Sequence, residues 1–250
     1  MLTSLRGLIA ASLLGTSVVV ATPAFAEEDT APPSDFTVSG YVQGVSDYRF
    51  RGISLSGGDV AVQGSINVNH SSGLYIGTWA SSLEDTPVYG HTEVDLYAGW
   101  TGEIASGFTA DVGMLYYAYP NGKVGDANVW EPYASVTAAI GPATAKLGVN
   151  YAWDQDSLGG DDNLYIYTDL GASIPDTPVS VSAHLGYTDG ALSPEILTGS
   201  GNGGGFDWSL GASFTIMKNL SIGASYVGVE GASIDDVSDD SVVGTLKLSF

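Results

Sequence analysis

Apolar and polar side chains alternate with a period of two along nearly all of residues 36–250. That is the pattern of β-strands whose two faces meet unlike surroundings. Within Thr92–Thr101, Val94, Leu96, Ala98 and Trp100 share one face, and Glu93, Asp95, Tyr97 and Gly99 the other. In Leu164–Ile174, Leu164, Ile166, Leu170 and Ile174 oppose Tyr165, Tyr167, Asp169, Gly171 and Ser173. The same rhythm predicts strands over Phe36–Tyr48, Val60–Asn69, Leu74–Ser81, Phe108–Tyr119, Asn128–Ala139 and Ala143–Trp153. It continues through Val179–Tyr187, Phe206–Ile216, Leu220–Glu230 and Ser241–Phe250, about twelve segments in all. The third segment is the shortest, and its facing is ambiguous.

The connections carry a second rhythm. After even-numbered segments they are tight, as at Ser71–Gly73, Gly141–Pro142 and Met217–Asn219. After odd-numbered segments they are longer and acidic or glycine-rich: Arg49–Asp59, Leu83–His91, Pro120–Ala127, Asp154–Asp162, Asp189–Gly205 and Gly231–Asp240. Short turns at one end and long loops at the other, over an even strand count, predict a transmembrane antiparallel up-and-down β-barrel of about twelve strands.

Alternation leaves open which face is wet. A soluble barrel would turn Val, Leu and Ile inward. Here the polar face carries Gly, Ser, Thr, Tyr, Asp and Glu with almost no Lys, unlike a soluble exterior that mixes both charge signs. Aromatic residues gather near segment ends at Phe36, Tyr48, Trp100, Phe108, Trp130, Trp153, Tyr187, Phe206, Trp208 and Phe250. They are placed as interfacial girdles around an apolar band. The apolar face is therefore expected to meet lipid. Twelve tilted strands enclose more than side chains alone fill, so a water-filled lumen is expected.

At the front, Arg6, an apolar run from Leu8 to Val20 and Ala24-Phe25-Ala26 predict a signal peptide over 1–26. A short leader follows over 27–35, and the barrel over 36–250. The apolar run is too short to span a bilayer as a helix, and the expected destination is the bacterial outer membrane. Removing the signal leaves six basic residues against twenty-eight acidic ones, a balance that disfavours nucleic acid as a partner and attracts cations. With no cysteine in the chain, stability must come from packing and strand pairing.

On the polar face, Asp47, Arg49 and Arg51 would share one side of an extended strand. Together with Glu93, Asp95, Asp111, Glu131, Lys146 and Asp169 they are the candidate pore-lining residues. Two readings fit them: a transverse field at a constriction that selects solutes by charge, or an ion-pair lattice that braces the wall. His70, His91 and His184 show no metal-ligand spacing. Ser182 and His184 share a face, but no third partner or strained nucleophile turn completes a hydrolase site. Asp154-Gln-Asp156, Gly159–Asn163 and Asp235–Asp240 lack the spacing of a calcium loop. They are expected as solvated external loops that meet divalent cations between lipopolysaccharide phosphates. No cofactor, metal or catalytic residue is expected.

Two resemblances add to this reading. Ser241–Phe250 resembles the terminal strand of bacterial outer-membrane barrels, which end in an aromatic residue. That implies closure onto the first strand and recognition by the barrel-assembly machinery. Ser46-Asp-Tyr-Arg-Phe-Arg-Gly-Ile-Ser54, with Asp95-Leu-Tyr-Ala-Gly99 and Leu115-Tyr-Tyr-Ala-Tyr-Pro120, resembles the TorF family of porins, also known as the Gcw_chp family of conserved bacterial proteins. The likeness spans nearly the whole chain after the signal. It implies an outer-membrane barrel in contact with lipid and lipopolysaccharide, and brings no binding or catalytic residue with it. Leu55 stands where that motif would carry Gln. The expected function is passive diffusion of small hydrophilic solutes, cations preferred, with homo-oligomers compatible. The alternative is a non-conducting barrel whose external loops bind a partner, which dense plugging by Arg49–Asp59 would favour.

Overall fold

The computed structural model describes residues 34–201 and 203–250. The expected signal peptide and most of the 27–35 leader lie outside the described residues. The strands are β1 (Phe36–Val45), β2 (Arg49–Phe50), β3 (Ile53–Ser54), β4 (Ala61–His70), β5 (Leu74–Thr86), β6 (Gly90–Ala105) and β7 (Phe108–Ala118). They continue as β8 (Val129–Ile140), β9 (Ala143–Ala152), β10 (Asn163–Ser173), β11 (Val179–Gly190), β12 (Gly204–Met217), β13 (Leu220–Val229) and β14 (Ser241–Ser249).

All but β2 and β3 form one closed antiparallel barrel of twelve strands, each paired with its chain neighbours, and β14 closes onto β1. The closing register runs from Tyr41 opposite Ser249 to Val45 opposite Thr245. Phe250 extends it by donating its N–H to Gly40 O at 2.9 Å and accepting from Gly40 N at 3.0 Å. Closure leaves no open sheet edge, and backbone groups along the paired registers find their partners across neighbouring strands.

The apolar face points outward all round. Val38, Val62, Ile76, Leu147, Leu210 and Val242 are each more than half exposed, which in water would be an untenable apolar belt and in lipid is the required one. Phe36, Trp100, Phe108 and Phe250 lie in the belt near the short turns, and Trp130, Trp153, Tyr187 and Phe206 near the long loops. Tyr48 departs from the expected girdle. It is buried inside the barrel with its ring 5.3 Å from that of Trp79, because the chain turns inward after β1.

Three of the long connections differ from expectation in shape. The expected loop Leu83–His91 is mostly strand: β5 and β6 run on past the apolar band to a turn at Pro87, Val88 and Tyr89. Above the lipid both faces meet water, so pairing can continue where the apolar alternation stops. Asp189–Gly205 carries a helical turn, α1 (Pro194–Leu197), capped by Ser193, whose Oγ accepts from Ile196 N. Arg49–Asp59 does not project outward. Its β2–β3 hairpin folds into the lumen, where Arg49, Arg51, Ile53, Ser54 and Ser56 are all buried. Near the short turns, by contrast, the inward Thr101, Thr109, Thr144 and Ser180 are only half-buried.

Candidate functional site: the lumen beneath an inserted hairpin

The hairpin begins with a local conflict. Phe50 pairs with Ile53 and Arg49 with Ser54, which leaves Arg51 and Gly52 as the two central turn residues, both at positive φ (49° and 84°). A two-residue hairpin turn of the primed type requires this, and Gly or Asn normally supplies it. Gly52 also touches the wall: a Cβ there would sit 2.7 Å from Cβ of Val229 and 3.1 Å from Cβ of Asp207. Arg51, which carries a Cβ, is held in the left-handed region against its preference, and such a position needs support from its surroundings.

That support comes from two sides. Asp47 pairs with Arg49 and accepts from Ser54 Oγ at 2.6 Å and Ser56 Oγ at 3.2 Å. Arg49 also donates to the Asp239 backbone oxygen at 2.9 Å and to Asp239 Oδ1 at 3.2 Å. These contacts fasten the base of the hairpin to the loop between β13 and β14. At its tip, Arg51 Nη2 reaches Glu131 Oε1 on β8 at 2.7 Å. The guanidinium carbon lies 4.2 Å from the Tyr165 ring centroid and 4.7 Å from that of Phe50. Glu131 is fully buried, and its other oxygen, Oε2, accepts from Tyr117 Oη at 2.8 Å and Asn150 Nδ2 at 2.9 Å. Burial works against the Arg51 charge, but the groups around it, Glu131 foremost with Tyr117 and Tyr165, together raise the guanidinium pKa above its ordinary value. Arg51 therefore stays charged at any working pH.

Extended geometry placed Asp47, Arg49 and Arg51 on one side of a strand. The turn at Arg51-Gly52 reverses the chain, so Arg49 points back to Asp47 and Asp239 while Arg51 points across the lumen to Glu131. The two guanidiniums therefore face different partners instead of lying along one side of a strand.

The other candidates all line the interior. Glu93 and Asp95 are fully buried beneath the loops; Glu93 accepts from Tyr119 Oη at 3.3 Å. Neither carboxylate oxygen of Asp95 has a protein partner. Asp111 accepts from Tyr75 Oη at 2.5 Å, and Tyr75 in turn bonds to Tyr133. Lys146 sits opposite Asp169 across β9 and β10, its ammonium 5.5 Å from the Tyr167 ring centroid. Asp169 accepts at 2.6 Å from His184 Nδ1, and His184 Nε2 lies 3.0 Å from Asp207 Oδ1 and 2.8 Å from Tyr165 Oη. Both ring nitrogens of His184 are thereby occupied, which leaves none to activate Ser182.

Several interior residues escaped the sequence reading. Asp207 and Lys247 have the inward parity of their strands and could have been found by it; the Lys247 ammonium lies 3.9 Å over the Tyr41 ring. Tyr165, Tyr117 and Asn150 share that inward parity, but nothing in it marks them as partners of an arginine that arrives from a distant turn. Between the hairpin and the β13–β14–β1 wall remains a cavity of about 40 Å³, lined by Gln43, Asp47, Arg49, Gln63, Ser225 and Thr245 among others. That is room for one or a few water molecules.

Comparison with known proteins places this geometry among porins by fold. The NanC porin superposes with a TM-score of 0.59 at 12% identity, covering 84% of this chain and 98% of its own. The KdgM porin, solved in complex with disordered oligogalacturonate, gives 0.56 at 10% identity, covering 86% and 98%. No curated protein matches in sequence. Residues 29–250 match the family described as "Bacterial protein of unknown function (Gcw_chp)", and the chain belongs to that family.

Proposed function

We propose that this protein is an outer-membrane channel for passive diffusion of small hydrophilic solutes, with a preference for cations. One observation carries the reading: a closed twelve-strand barrel that is apolar outside and polar within. Such a wall is stable only in lipid and encloses a polar interior. The resemblance to TorF-family porins points the same way. Export by a signal peptide cleaved after Ala26, and contact of the acidic loops with lipopolysaccharide through divalent cations, belong to the same proposal.

The cation preference follows from the pairing of interior charges. Arg49 is matched by Asp47 and Asp239, and Arg51 by Glu131. Among the described residues, Glu93, Asp95 and Asp111 have no basic partner at ion-pair distance. Interior acids thus outnumber interior bases, a balance that attracts a cation toward the lumen and repels an anion. In planar bilayers under a salt gradient, the purified protein is expected to give single-channel steps with a cation-selective reversal potential. Glu93→Gln with Asp95→Asn should move that potential toward zero. Absence of steps would remove the channel, and an anion-selective potential would remove the preference.

The inserted hairpin and the 40 Å³ cavity beside it favour a second reading, a non-conducting barrel that displays loops for a partner. Liposome swelling separates the two: solute entry supports the channel, and its absence over a range of sugars and amino acids supports the display barrel.

A further inference from the structure

The surroundings of Arg51 have the chemistry of a receptor. Glu131 is immobilised: fully buried, with Oε2 fixed by Tyr117 and Asn150, it presents Oε1 to whatever lies above it. Tyr165 is fixed as well, its hydroxyl bonded to His184 and Asp207 and its ring stacked on Tyr167 at 5.4 Å and 20°. A rigid carboxylate beside a rigid aromatic face selects a flat, delocalised cation through charge-assisted hydrogen bonds and attraction to the ring. A guanidinium already occupies the site, but it belongs to the protein's own chain.

Arg51 fits that seat imperfectly. It makes a single hydrogen bond to Glu131, although its planar fork could take a carboxylate with two. Its Nη1 is buried without an acceptor, and its backbone is held at a φ of 49°. The tether imposes these defects, since the side chain must reach Glu131 from a turn whose base is fastened elsewhere. An untethered guanidinium is free to take the better geometry. What keeps Arg51 in place is the high effective concentration that the short connection gives it.

We propose that Glu131 and Tyr165 form a binding site for solutes bearing a guanidinium group, that Arg51 is its tethered occupant, and that such a solute enters by displacing Arg51 and with it the hairpin. Binding stands independently of conduction; only the opening that follows rests on the channel reading. The acidic lumen raises the local concentration of such cations.

The test uses the full mature chain refolded in detergent, with ethylguanidinium as probe and ethylurea as its neutral counterpart, and binding measured by calorimetry. Arg51→Ala is expected to bind ethylguanidinium at least tenfold more tightly than the parent, because the internal competitor is gone. Adding Glu131→Gln to Arg51→Ala should weaken binding at least tenfold, and ethylurea should bind to neither. Arg51→Gln serves as the second vacated seat should the alanine variant not refold. No gain over the parent in a refolded Arg51 variant, or equal binding after Glu131→Gln, overturns the proposal. In bilayers, ethylguanidinium should raise the open fraction of the parent channel. Binding without single-channel steps leaves the seat standing and removes the channel, whereas steps without binding remove the seat alone.

Discussion

Leu210 offers a direct test of what surrounds the barrel. It projects outward from β12, 64% exposed, and lies midway between Phe206 and Phe214 on the same face of the same strand. At ~3.4 Å per residue along a strand tilted by ~45°, each ring stands roughly 10 Å above or below it. That spacing brackets an apolar band of about 25 Å and puts Leu210 near its centre. Leu210→Arg should then cost about 2–4 kcal/mol, while Ile216→Arg, on the same face beyond Phe214, should cost about 0–1 kcal/mol. In water the same exchange of an exposed apolar residue would stay within about 0.5 kcal/mol at both positions. The depth gradient, rather than either value, carries the inference. Denaturant unfolding of the refolded protein in phospholipid vesicles, followed through its 5 tryptophans, gives both free energies. Equal effects at the two positions to within about 0.5 kcal/mol would refute an apolar belt in lipid.

Other outcomes test the interior. Glu131→Ala strands the Arg51 charge together with the Tyr117 and Asn150 donors. Breaking a buried pair in this way costs about 3–5 kcal/mol, so the hairpin should leave the lumen and trypsin should cut after Arg49 or Arg51, as read by mass spectrometry. A hairpin that stays resistant would mean that the Asp47 and Asp239 contacts alone hold it. Gly113→Val would push a Cβ to 2.7 Å from the Ala98 carbonyl oxygen and into the Tyr133 ring. This overpacking should lower stability by about 1–3 kcal/mol in the vesicle assay. Arg51→Ala should raise the rate of liposome swelling with small cationic solutes relative to neutral ones of equal size, and an unchanged rate would place the constriction elsewhere.

The barrel was legible in the sequence because its signal is local and repeated. A strand's neighbours in sequence announce which face meets lipid: Leu96 between Asp95 and Tyr97, or Leu210 between Ser209 and Gly211, needs no knowledge of the rest of the chain. The twelve segments, their alternating short and long connections and the closure through Ser241–Phe250 follow from that parity and from the demand that lipid leaves no backbone group unpaired. Parity also turned the wall candidates Glu93, Asp95, Asp111, Glu131, Lys146 and Asp169 inward, whereas Arg49 and Arg51 enter the lumen on the hairpin. It could not say which of them meet. Arg51 and Glu131 are eighty positions apart, and their contact depends on a turn at Arg51-Gly52 whose positive φ values are opposed by the arginine itself. Its support comes from Glu131, Tyr165 and Asp239, on elements that meet the hairpin only once the barrel has closed. Sequence alone therefore determined the wall, and the tertiary structure decided what fills it. Each strand alternates for its own length, whereas the lumen is shared by all twelve and exists only after the last has joined the first.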